Sequence, residues 1–235
     1  MSLFERKTFQ HDTTIINYRI FIPQDDTCEN GYPLILTLHG SGERGSDNES
    51  HIKHHKLATI WADSNNQKKH PCFILSPQCP ENNRWVDADW GFSKYDQDTV
   101  PTSNELNTVC QLVDHIINEY PVDINRLYIT GLSMGGFGTW DLITRFPGKF
   151  VAAIAMSGAG DPSKAPLLTK VPIWVFHGAL DKTVPVEGSR NMVDAIRDVG
   201  GNVIYTEYEY GAHVIWKESY ENPLLIDWLF AQYRK

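Results

Sequence analysis

The sequence predicts an α/β fold, a mostly parallel central sheet with helices on both faces, and three observations lead there. Short apolar runs rich in Ile, Val and Phe recur at residues 33–38, 72–76, 126–130, 150–156, 172–176 and 202–208. Such near-continuous runs suit strands buried on both faces, as strands of a parallel sheet are. Segments of helical period separate the later runs, and strand alternating with helix implies right-handed crossovers. The run at 126–130 leads into a serine bracketed by glycines, Gly131-Leu132-Ser133-Met134-Gly135, and a helical pattern follows at once.

Residues 14–22 alternate in polarity, as an antiparallel edge strand would. The clearest helix is 105–120, where Leu106, Val109, Val113, Ile116, Ile117 and Tyr120 form one apolar stripe and Thr102 with Glu105 fits a capping box. The helical period returns at 190–199, stopping at Gly200 and Gly201, and again at 223–233. No repeat, low-complexity tract or linker divides the chain, so one domain over residues 1–235 is expected.

Composition narrows the function. With 41% hydrophobic and 21% charged residues the chain has the means to bury a core. Lys and Arg number 21 against 29 for Asp and Glu, a net charge of −8 with no dense basic run, so nucleic acid is not an expected partner. The first ten residues hold Glu5, Arg6 and Lys7 without an apolar signal core, and no stretch approaches membrane-spanning length. A cytoplasmic protein without a membrane partner is the expectation. Cys28, Cys72, Cys79 and Cys110 show no metal-ligand spacing and are expected as free thiols, and His51, His54 and His55 have no ligand partners at metal spacing.

Strand, Gly-x-Ser-x-Gly and helix together form a nucleophile elbow in its required context. The glycines remove Cβ atoms that would clash in so sharp a turn, and the helix start aims the Met134 amide at the serine. A serine hydroxyl becomes nucleophilic when a histidine takes its proton, and a carboxylate must fix that histidine's tautomer. In the chain order Ser, acid, His, the acid is read as Asp181, on the loop leaving the run at 172–176, and the base as His213, after the run at 202–208. Asp161 is a rival acid, whereas Glu187 reads as solvated; His39 and His177 precede glycines and read as orienting backbone.

The run at 33–38 is followed by His39-Gly40-Ser41-Gly42, where glycines admit substrate close to the backbone. The Ser41 amide is the natural second oxyanion donor beside that of Met134. Residues 78–104 are too long for a plain turn and carry Trp85, Trp90, Phe92 and Tyr95. Trp85 and Trp90, with Trp216 beside His213, are expected to border a substrate pocket. Residues 157–170 are too short for a helical lid, so an open site for soluble esters is expected.

With these motifs placed, the sequence resembles bacterial α/β-hydrolases of the phospholipase/carboxylesterase, dienelactone-hydrolase-like group. It is especially similar to thermophilic esterases that carry an extra N-terminal immunoglobulin-like domain, for which no counterpart is expected here. Leu38-His39-Gly40-Ser41-Gly42-Glu43-Arg44-Gly45, Pro77-Gln78-Cys79-Pro80, Thr130-Gly131-Leu132-Ser133-Met134-Gly135-Gly136 and Ile173-Trp174-Val175-Phe176-His177 carry the resemblance. It implies an α/β-hydrolase fold without a large lid domain, and hydrolysis of small-molecule carboxylic esters without metal or organic cofactor. By match of motifs, Ser133 carries over as nucleophile, Asp181 as acid, His213 as base, and Ser41 and Met134 as oxyanion donors. A homo-oligomer is compatible with the sequence. A serine peptidase or amidase, an acetyl or feruloyl saccharide esterase and an inactive binding module stand as alternatives.

Overall fold

In the computed structural model, residues 3–24 and 30–234 are described. One sheet holds eight strands: β1 Glu5–His11, β2 Thr14–Phe21, β3 Tyr32–Leu38, β4 Phe73–Gln78, β5 Val122–Leu132, β6 Ala152–Met156, β7 Ile173–Gly178 and β8 Val203–Tyr208. Their order is β1-β2-β4-β3-β5-β6-β7-β8. The pairs from β4 through β8 are parallel, and β2 joins both β4 and β1 antiparallel. The six apolar runs became β3 to β8.

Side chains of the central strands alternate between two apolar layers, as the twofold period of a strand requires. Leu34, Leu36, Leu127, Ile129, Ile173 and Val175 face one layer, while Ile35, Tyr128, Ile154, Trp174 and Phe176 face the other. The first layer is covered by α3 Asn104–Glu119, α4 Met134–Arg145 and α5 Glu187–Asp198. The second is covered by residues 57–62, α6 Trp216–Tyr220 and α7 Leu225–Phe230. Two short helices, α1 Ser50–Lys53 and α2 Ser64–Lys69, precede β4. Helices therefore cover both faces, and all six parallel strands, β3 to β8, end on one rim of the sheet.

Three expectations need correction. β2 is antiparallel but interior, because β1 takes the edge; β1 is solvent-facing along most of its length and so lacks the apolar alternation that betrays a strand. The cap of α3 is Ser103, whose Oγ accepts the Leu106 amide at 3.0 Å; Glu105 turns instead to Asn83. The helix expected over 223–233 is the shorter α7; before its start Asn222 Oδ1 accepts the Leu224 amide at 3.0 Å and holds a turn. The β6 to β7 connection holds only a 3-10 helix, Pro162–Leu168, and no large lid. No helix among the described residues is long and apolar enough to cross a membrane. Cys72, Cys79 and Cys110 are buried free thiols, and Cys28 lies outside the described residues.

Candidate active site

Ser133 sits between β5 and α4 with φ 54° and ψ −121°, a backbone conformation that side chains bearing a Cβ rarely adopt. Close packing makes the turn this tight. A Cβ on Gly131 would meet the Gly135 carbonyl oxygen at 2.1 Å, and one on Gly136 would meet that of Met156 at 2.5 Å. The Ser133 amide donates to Met156 O at 2.9 Å, which ties the turn to the end of β6.

Three distant side chains meet at this rim. Ser133 Oγ lies 2.8 Å from His213 Nε2, and His213 Nδ1 lies 2.7 Å from Asp181 Oδ2. A carboxylate only accepts, so Nδ1 carries the imidazole proton and Nε2 is free to accept from the serine hydroxyl. Asp181 is fixed at four points. Its Oδ1 accepts the amides of Thr183 at 2.8 Å and Val184 at 3.0 Å, and its Oδ2 accepts both His213 and His177, the latter at 3.1 Å. Burial pushes this carboxyl up, but the donors from His177, His213 and the two amides outweigh burial and hold it well below the usual carboxylate range.

His213 is held from behind. The Trp216 ring stands edge-on to its imidazole at 5.3 Å, and Ser157 Oγ donates to the His213 carbonyl at 3.2 Å. Trp216 is 5% exposed, so it supports His213 more than it offers surface to a ligand.

The loop after β3 stands on the other side of the serine, where a Cβ on Gly40 would be 3.6 Å from Ser133 Cβ. Ser41 opens a 3-10 turn, Ser41–Glu43, and Met134 opens α4. Both amides are therefore first-turn N–H groups, and among the described residues neither meets a protein acceptor. His39 fixes the loop: its Nδ1 is 2.6 Å from the Gly40 carbonyl and its Nε2 accepts the Cys79 amide at 2.9 Å. Because the Gly40 carbonyl and the Ser41 N–H share one planar peptide unit, anchoring the first aims the second.

Trp85 is misplaced by the sequence reading. It is fully buried in the core, and its indole N–H donates to the His39 carbonyl at 3.0 Å, so it braces the loop from beneath and borders no pocket. Trp90 is half-buried, with the Arg84 guanidinium 4.6 Å and that of Arg44 5.8 Å from its ring centre. Tyr95 donates to Asp141 Oδ1 at 2.8 Å, and Phe92 is exposed. The long aromatic loop is thus pinned down onto the domain.

Asp161 is not placed with the serine. Its carboxylate accepts from Gln97 N at 3.0 Å and from Ser163 N and Oγ at 3.0 and 2.7 Å. Glu187 is exposed and pairs with Arg190 at 3.1 Å. His39 does orient backbone, whereas His177 reaches the Asp181 carboxylate, a contact the sequence reading missed. The signal was its position four residues before Asp181. No group of His, Cys, Asp and Glu among the described residues could hold a metal ion.

The phospholipase/carboxylesterase family model matches residues 28–223. Acetylxylan esterase A of Emericella nidulans is 33% identical over 150 residues, 64% of this chain and 44% of that protein. The bifunctional acetylxylan esterase/xylanase XynS20E of Neocallimastix patriciarum is 25% identical over 166 residues, 71% of this chain and 22% of that protein. The chain thus spans less than half the length of these curated relatives. Among solved structures, a thermostable esterase superposes with a TM-score of 0.91 at 40% identity, over 99% of this chain and 64% of that one. A ferulic acid esterase, at 17% identity and a TM-score of 0.69, shares the fold. The chain belongs to the phospholipase/carboxylesterase family of α/β-hydrolases.

Proposed function

We propose that the chain is a serine carboxylesterase acting on soluble, short-acyl esters through Ser133, His213 and Asp181. The observation that carries the reading is the unbroken hydrogen-bonded line from Ser133 Oγ through the His213 ring to Asp181 Oδ2, at 2.8 and 2.7 Å.

In the first step Ser133 Oγ bonds to the ester carbonyl carbon while its proton passes to His213 Nε2. The oxygen that gains charge takes hydrogen bonds from the Ser41 and Met134 amides. The carbon to alkoxide bond then breaks, and His213 returns the proton to the departing alcohol. In the second step water attacks the acyl-serine, again giving its proton to His213, and the acid leaves as Ser133 Oγ recovers the proton. Asp181 stays ionised and stabilises the transient imidazolium. Acyl groups on saccharide hydroxyls are a natural substrate class, in keeping with the two acetylxylan esterase relatives and with the absence of a large lid.

A fluorophosphonate probe should label the protein at Ser133, and Ser133→Ala should abolish both labelling and turnover of a short p-nitrophenyl ester without unfolding the chain. Near wild-type turnover by the alanine variant would overturn the reading. Comparing an ester with the amide of the same acyl group separates an esterase from an amidase.

A further inference from the structure

His177 is the penultimate residue of β7, is wholly buried, and belongs to no step of the mechanism above. Its Nε2 lies 3.1 Å from both Asp181 Oδ2 and the Val184 carbonyl oxygen. A carbonyl can only accept, so Nε2 carries the proton whatever the state of the carboxylate. Nδ1 then has a lone pair to offer, and the Ser189 hydroxyl on α5 lies 2.7 Å from it and 3.4 Å from the Gly158 carbonyl, so its one proton goes to the nearer acceptor, Nδ1. The ring is thereby fixed as the neutral Nε2–H tautomer. It presents its N–H to the same carboxylate oxygen that receives His213.

We propose that His177 is a positioning residue that sets how strongly Asp181 can hold a proton on His213; this rests on the triad reading given above. Two consequences follow from one shared oxygen. The His177 bond, with the two amide bonds to Oδ1, stops the carboxylate from rotating, so the remaining lone pair of Oδ2 points at His213 Nδ1. It also draws off part of the negative charge that would stabilise a His213 imidazolium.

Every group facing His177 fits this role. Ser189 comes from α5 and Asp181 and Val184 from the loop. Glu207, across the β7 to β8 pairing, is held off by Arg190 at 2.6 Å and by Tyr205 at 2.6 Å. Around His213 stand Ser133, Asp181 and the Trp216 ring, with His55 beyond that ring at 5.5 Å.

The test compares His177→Asn, whose shorter amide withdraws from Asp181, with His177→Gln, whose amide nitrogen reaches the place of Nε2. Fluorophosphonate labelling of each is checked first, then kcat and KM on a p-nitrophenyl ester from pH 4.5 to 8.5. For His177→Asn the acidic limb of kcat/KM should move up by about half a pH unit or more, because a hydrogen bond to a carboxylate is worth about a pKa unit to it. The kcat should fall with KM little changed, and His177→Gln should restore both. A folded, labelled His177→Asn with an unmoved acidic limb overturns the proposal and leaves the triad standing, whereas wild-type protein that the fluorophosphonate does not label at Ser133 sinks the triad itself. Should His177→Asn fail to fold, long-range 1H–15N spectra of the histidine-labelled wild type decide. A neutral Nε2–H ring at pH 7 supports the proposal, and an Nδ1–H or doubly protonated ring overturns it.

Discussion

Gly135 and Leu38 leave no room for a methyl group between them: a Cβ on Gly135 would stand 1.8 Å from the Leu38 carbonyl oxygen and 2.8 Å from that of His39. The start of α4 and the end of β3 thus touch backbone to backbone; α4 carries one proposed oxyanion donor, Met134, and the loop leaving β3 carries the other, Ser41. Gly135→Ala should pry the Ser41 and Met134 amides apart. Loss of one such donor costs about a hundredfold or more in kcat, so a fall of at least that size is expected, with a lower Tm. Gly42→Ala, in the same loop but with open space around its Cβ, should keep near wild-type kcat. Equal kcat values for the two variants would refute the steric account.

Asp181→Asn should fail in two ways at once. Both carboxylate oxygens only receive: Oδ1 takes two backbone amides, and Oδ2 takes two imidazoles. An asparagine has one oxygen, so its NH2 must face a pair of donors whichever way it is turned. If it faces the imidazoles, His213 takes the wrong tautomer and kcat should drop by roughly three to four orders of magnitude. If it faces the amides, the loop at 181–184 loosens. Thermal unfolding and kcat measured on the same sample should therefore both decline. A fully active variant with unchanged Tm would exclude Asp181 as the acid.

Much of this was legible in the chain, and the reasons are physical. β3 to β8 show because strands buried on both faces must be apolar throughout, and Ser133 shows because Gly131 and Gly135 are required on either side of it. β1 did not show, since a solvent-facing edge strand has no need of apolar residues. Trp85 was read as a pocket wall because a tryptophan in a long polar loop gives no sign of which way it points; in the structure it points inward, under His39. The His177 contact was hidden for a similar reason. A histidine before a glycine states that a turn is tight, and only the fold of the 178–184 loop brings Asp181 back over it.

Buried histidines give the fold a defined acid sensitivity. Burial holds the His39 imidazole down to about 4, and burial together with the nearby His39 holds that of His51 down to about 3. In the unfolded chain both titrate near 6.5. Above that pH neither state binds the protons and the stability is fully present. As pH falls from about 6.5 toward 4, the unfolded chain takes up protons that the folded one refuses, and stability is lost. At ~1.4 kcal/mol per pKa unit, the loss amounts to several kcal/mol across the window. His51 offers a clean probe, because its Nε2 donates to the Ser76 carbonyl at 3.0 Å while its Nδ1 meets no hydrogen-bond partner among the described residues. His51→Gln keeps the donor and cannot charge, so the drop in urea midpoint between pH 7 and pH 4.5 should shrink markedly. An identical drop in wild type and variant would rule out His51 as a source.

The backbone of Ser133 is held where only glycine is comfortable, at φ 54° and ψ −121°. A non-glycine residue in such a sparsely populated region costs on the order of 1–3 kcal/mol, and the neighbouring contacts at Gly131 and Gly136 leave the turn no freedom to relax. Replacing Ser133 by alanine removes the hydroxyl but keeps the Cβ and hence the strain. Replacing it by glycine removes both, offset by the greater entropy of glycine in the unfolded chain, ~0.4–1 kcal/mol. Ser133→Gly should accordingly be more stable than Ser133→Ala by about 1 kcal/mol, a gain of ~2–4 °C in Tm for a chain of this size, while both are inactive. Calorimetry on the two variants checks it, and a glycine variant that melts below the alanine one would show that the serine's conformation stores no strain.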